Sequence, residues 1–267
     1  MQLNLLRPIR ASGWAFTLPT SLVPGGSWIY LVLMLGFLVT WIDPVLAQRH
    51  VGHDTGDHSQ ESGVVHAWEG SAAGIAFSEF NHHVSGFLLF VIGCAEMSQA
   101  LRSSSPLWAR LLLPGALGLM GLFLLLWSDH EAWPIGSLTL SQTFYGGDHE
   151  ILQHKLYGVL AVLSASIEVL RRVGRLNGVG WMVPLPAFAL LGGWMLFNHS
   201  HGLHPSAEKI ALHHAVMGTL AMTAGSFKLV SALNAGTSPT ARFRSRWELL
   251  WAVLISVIGL QLMLYSE

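Results

Sequence analysis

The sequence predicts an all-α integral membrane protein, a bundle of six or seven helices, and three observations predict it. Of 267 residues, 52% are hydrophobic and 11% charged, whereas an ordinary soluble domain carries charge on roughly a quarter of its residues. Seven stretches approach the ~20 mostly apolar residues that a spanning helix needs to satisfy its own backbone: Trp28–Ala47, His82–Leu101, Trp108–Trp127, Ile151–Leu170, Val179–Phe197, Ile210–Leu233 and Trp247–Tyr265. Basic residues alternate sharply between the connections. Arg7, Arg10, Arg102, Arg110, Arg171, Arg172, Arg175, Arg242, Arg244 and Arg246 fall on one side with Lys228, against Arg49, Lys155 and Lys209 on the other.

Lys and Arg collect in short cytoplasmic loops, so the first side is expected inside. The N-terminus is then inside, the C-terminus outside, and the expected home is the inner (cytoplasmic) membrane. Little chain is left for a soluble catalytic domain. Residues 1–47 read as a signal-like or anchoring first segment. Val45-x-Ala47 would suit a cleavage site, although such a leader exceeds the usual ~15–30 residues. Residues 48–78 read as a His-rich exterior segment, and 79–267 as a six-helix membrane domain.

That domain repeats. His82-x-x-x-Gly86, His154-x-x-x-Gly158 and His214-x-x-x-Gly218 open three helices that enter from the same side. A four-residue gap puts His and Gly on one helical face, and small residues let helices approach closely. Ten residues beyond each Gly stands a charge: Glu96, Glu168 and Lys228. Each such helix has a returning partner, so three helical hairpins are expected. The three charges read as snorkelling groups or a structural Glu–Lys pair, with a polar path for a proton or ion as the alternative.

All 14 histidines fall outside or in the outer turns of a helix under this topology. His50, His53, His58 and His66 precede the second segment, and His82 and His83 open it. His130 follows the third, His149 and His154 open the fourth, His199, His201 and His204 follow the fifth, and His213 and His214 lie early in the sixth. Imidazole is the commonest protein metal ligand, and several helix ends deliver it to one layer. Met195 lies four residues before His199 and Met217 four after His213. Thioether beside imidazole favours copper, Cu(I) above all, over zinc. Asp129, Glu131, Asp148, Glu150 and Glu79 are candidates to orient the imidazoles, or to join a zinc or di-metal site.

Cys94 is the sole cysteine and reads as a buried apolar residue; it excludes an intrachain disulfide and a Cys-x-x-Cys site. There is no phosphate-binding Gly-rich loop and no Gly-x-Ser-x-Gly elbow. The Arg242–Arg246 cluster reads as an anchor facing anionic lipid rather than a nucleic-acid site.

Four motifs carry a resemblance. Glu79-Phe-Asn-His-His-Val-Ser-Gly86, Trp127-Ser-Asp-His-Glu-Ala-Trp-Pro-Ile-Gly136, Glu150-Ile-Leu-Gln-His-Lys-Leu156 and Asn198-His-Ser-His201 are similar to the membrane domain of copper resistance protein D (CopD-like) proteins, over roughly residues 75–235. The resemblance implies copper handling at the periplasmic face, by transport, resistance or delivery to a cuproenzyme. It points to His82, His83, His154, His199, His201 and His213 or His214. Partners would be the bilayer, other membrane subunits or a periplasmic copper protein.

Three other classes stand beside it. Facing histidines could ligate haem b in a membrane cytochrome, though all of them sit in the outer half. Asp129-His130-Glu131 and Asp148-His149-Glu150 could supply ligands and bases to an oxidoreductase, but no substrate is indicated. An assembly subunit would use the 11 Trp for partner helices, where interfacial belts also place Trp.

Overall fold

The structure, a computed structural model, describes residues 68, 70–102, 104–197, 206–234 and 246–267. The first apolar stretch Trp28–Ala47, the His-bearing residues 50–66, and His199, His201 and His204 lie outside the described residues. The described chain is helical: α1 Ala72–Leu101, α2 Leu107–Leu126, α3 Leu140–Tyr145, α4 His149–Arg172, α5 Pro184–Leu196 after a 3-10 turn Val179–Met182, α6 Ala207–Asn234 and α7 Arg246–Met263. Five helical spans are long and apolar enough to cross a membrane: Ala72–Leu101, Leu107–Leu126, Val179–Leu196, Ala207–Asn234 and Arg246–Met263. Their outward residues, among them Phe87, Leu119, Leu122, Val216 and Leu260, are large, apolar and exposed, as a lipid-facing surface requires. This is an all-α multi-pass membrane protein. The fourth helix misses the apolar standard because it carries Lys155, Glu168 and Arg172, but all three side chains are buried inside the bundle.

Helix ends follow local chemistry. Ser71 caps α1, its hydroxyl accepting from the Gly74 amide at 3.1 Å, so the helix begins ten residues before the His82 start that hydropathy suggests. The polar residues of that extra stretch hid it from a hydropathy window. Asp148 caps α4 by accepting from the amides of Glu150 and Ile151. Thr139 and Gln142 form a reciprocal capping box on α3, a short helix in the connection that apolar patterning does not register. Pro184 opens α5, where a missing N–H costs nothing.

Sequence-adjacent α1–α2 and α6–α7 pack together, while α4 touches α5 lightly. The most extensive packing nevertheless runs across the hairpins: α1 on α7, α2 on α4, and α5 on α6. The repeat explains these pairs. A Cβ built at Gly86 would lie 2.8 Å from the carbonyl oxygen of Gly259, one at Gly121 2.9 Å from that of Gly158, and one at Gly193 2.8 Å from that of Gly218. Each glycine of a His-x-x-x-Gly motif thus meets a glycine of an antiparallel neighbour, and the backbones touch. Three glycine-welded pairs surround a common centre, with histidines at one end and the repeat's charges Glu96, Glu168 and Lys228 toward the other.

Candidate functional site

At the histidine end, one cavity of about 360 Å³ opens between the three pairs. His82, His154 and His214, the same position of the three repeats, all line it. His130, Met195 and Met217 line it too, whereas His83 and His213 do not. The His83 Nε2 instead lies 2.9 Å from the Tyr265 carbonyl oxygen, and the His213 ring packs edge-on to Tyr265. Between His213 and His214, the cavity therefore selects His214.

Two of these imidazoles are oriented by their neighbours. His82 Nδ1 donates to the Ser78 carbonyl oxygen at 2.8 Å, and its ring stacks on Tyr265. His154 Nδ1 donates to the Asp129 carboxylate at 2.6 Å. Nδ1 donation to a backbone carbonyl or a carboxylate is how metal-ligating histidines are commonly oriented, and His154, charged beside Asp129, would have to shed its Nε2 proton to ligate. Asp129 is itself held by Ser128 Oγ at 2.5 Å and by the Lys155 ammonium at 3.1 Å. Lys155 is 1% exposed and also donates to the carbonyls of Leu124 and Leu125 at the end of α2. Burial pushes the Asp129 carboxyl up, but the His154 and Lys155 charges and hydrogen bonds outweigh it and hold the group below its ordinary value. His130 stacks on Trp68 with centroids 3.4 Å apart and meets Phe77 edge-on. Burial lowers its pKa despite Glu131 and Asp129 nearby.

The donor set suits a soft transition metal in part. His82 and His214 present rings 6.3 Å apart, inclined by 29°. Met217, one helical turn after His214, adds a thioether. Among the described residues, no three His, Cys, Asp or Glu side chains converge on a single ion-sized point. Of the acids read as orienting groups, Asp129 does orient a histidine. Asp148 caps α4, and Glu79 accepts from the Glu267 amide at 3.0 Å.

Toward the other end, the repeat charges meet in one buried network. Arg172 joins Glu96 at 2.9 Å to Glu168 at 2.9 Å, and Lys228 joins Glu96 at 3.2 Å to Glu248 at 2.6 Å. Arg171 completes Glu168 at 2.7 Å, and Ser231 donates to Glu248. Sequence spacing marked Glu96, Glu168 and Lys228; it did not mark Arg172 or Glu248. A signal for Arg172 exists in Pro114. Proline has no N–H, so the Arg110 carbonyl four residues earlier lacks its helical donor, and Arg172 supplies one at 2.7 Å. These groups are closed ion pairs rather than snorkelling ends. Trp251 stands between network and cavity, lining the cavity with its ring 5.6 Å from the Lys228 ammonium.

No family model, curated protein or solved structure matches this chain.

Proposed function

We propose that this protein is a copper-handling membrane protein of the kind its motifs resemble, binding the ion at the histidine end of the bundle. The observation that carries the reading is the convergence of His82, His154 and His214 from three different helices onto one cavity, beside the thioethers of Met195 and Met217. Imidazole with thioether is a soft donor set that suits copper better than zinc. His199 and His201 follow α5 in the sequence and are further candidate ligands. The sorting of basic residues puts the histidine end at the periplasmic face of the inner membrane, N-terminus in and C-terminus out.

Binding and delivery fit better than conduction through the bundle. A cation descending the cavity would meet Trp251 and then the Lys228 ammonium, itself engaged by two carboxylates. The polar path of Glu96, Glu168 and Lys228 is thus a paired cluster with a cation nearest the cavity. The partner receiving or supplying copper would be a periplasmic copper protein or a further membrane subunit. Haem b is the second reading, favoured by the apolar walls beneath the histidine layer.

Elemental analysis and an absorbance scan of the purified protein in detergent test both. Near-stoichiometric copper without a Soret band is expected, with copper lost in His82→Ala, His154→Ala and His214→Ala. A Soret band would overturn copper in favour of haem, and copper retained by all three variants would remove the site.

A further inference from the structure

The cavity continues far below the histidines. It is lined along α1 from Gly74 to Ile92, along α6 from His214 to Ala221 and along α7 from Trp251 to Leu262. At ~1.5 Å per residue the α7 wall alone is about 16 Å long. Its volume falls in the ~300–1,000 Å³ range of small-molecule sites, which are largely apolar with a few placed polar groups. Here the walls are Leu89, Ile92, Leu113, Leu117, Ile255 and Ile258. Tyr157 and Phe188 add a flat face, stacked with centroids 4.4 Å apart and 12° between planes.

One polar group at the deep end has nothing to bond. Trp251 is 3% exposed, and its buried Nε1 has no hydrogen-bond partner among the described residues. Indole N–H is a donor only, and a buried donor left unpaired is costly. A bound molecule that satisfies it must offer an acceptor. A carboxylate is disfavoured, because the nearby Lys228 is already paired with Glu96 and Glu248 and would leave a buried anion uncompensated. A neutral oxygen on an apolar, flat body meets every condition.

We propose that the lower cavity binds a lipophilic carbonyl compound, its oxygen accepting from Trp251 Nε1 and its ring lying against Tyr157 and Phe188. The site is independent of the copper reading, since neither Trp251 nor the apolar walls belong to the candidate ligands.

The test is titration of the full chain in detergent with decyl-benzoquinone, followed by quenching of intrinsic fluorescence, with copper measured on the same samples. Saturable quenching at one probe per chain is expected. Trp251→Phe, which keeps the ring and deletes the donor, should weaken binding about tenfold, the upper end for one hydrogen bond. Ala221→Phe, which puts bulk into the cavity, should weaken it more than tenfold. Both variants should keep the wild-type copper content, so loss of copper alone would bear on the metal reading and not on this one. Quenching that rises linearly and equally in all three proteins is partition into the micelle, and overturns the proposal. Equal affinity for decyl-benzene, which has no carbonyl, overturns it as well. Should Ala221→Phe lose its helical circular dichroism, Trp251→Phe decides the matter alone.

Discussion

The two ends of the bundle are built from the same repeat and handle polarity in opposite ways. At one end Glu96, Glu168 and Glu248 meet Arg171, Arg172 and Lys228, and the carboxylates and cations answer one another. At the other, His82, His154 and His214 stand around a cavity, with His82 oriented by the Ser78 carbonyl and His154 by Asp129. Buried charge that is fully paired can hold helices in register but has no valence left for a ligand. Imidazoles that line a cavity are placed where a ligand could reach them. On the proposed reading, structure lies at the ionic end and metal binding at the histidine end.

Substitutions can break that contrast, and the largest effect should come from the ionic end. Arg172→Leu takes from Glu96 and Glu168 the cation that joins them, leaving each with one partner, Lys228 and Arg171, and frees the Arg110 carbonyl. Removing one partner of a buried pair costs about 3–5 kcal/mol, so unfolding in detergent should shift strongly while the copper content of the folded fraction stays unchanged. Copper loss there would mean that the two ends are not separable.

A somewhat smaller loss is expected where helices touch. A Cβ at Gly259 would lie 2.4 Å from the Phe90 amide nitrogen, so Gly259→Leu should cost about 1–3 kcal/mol or more through overpacking. Thermal unfolding would show it, and an unchanged midpoint would remove the α1–α7 weld.

Asp129→Asn should act on both properties. It leaves Lys155 buried without its carboxylate and gives His154 a neutral amide in place of a charged acceptor, so stability and copper should fall together. The acid limb gives a further check. Because the folded Asp129 sits below its ordinary value of 3.8, its contribution is present above that pH and disappears as pH falls through the lowered value. Asp129→Asn should flatten that part of the stability profile, and an unaltered acid limb would remove Asp129 as its source.

The smallest stability change is expected at the histidine end. His82→Ala should shift unfolding by about 1–2 kcal/mol, the sum of the hydrogen bond from its Nδ1 and its stacking on Tyr265, while copper content falls. A large destabilisation without metal loss would reassign His82 to structure.

Much of this was legible in the sequence. Apolar runs and the His-x-x-x-Gly spacing mark the helices, the close contacts and three of the four histidines that line the cavity. The pairing of α1 with α7 was not, because a glycine announces close approach without naming its partner. Short-range polar chemistry hid α3 and the first turns of α1: caps such as Ser71 and Thr139 act on a few residues, below the reach of a hydropathy window. His83 and His213 look equivalent to their neighbours in sequence, but a step of one residue turns a side chain by ~100° around a helix, and neither lines the cavity. The cavity itself is a property of three helix pairs at once, so no local pattern carries it.

The most direct test of the account is copper per chain in the wild type, His214→Ala and Glu96→Gln, with an absorbance scan of each. Near-stoichiometric copper in the wild type, its loss in His214→Ala and its retention in folded Glu96→Gln, with no Soret band, is the predicted result. Copper that ignores His214, or that follows Glu96 instead, would contradict the division between the two ends.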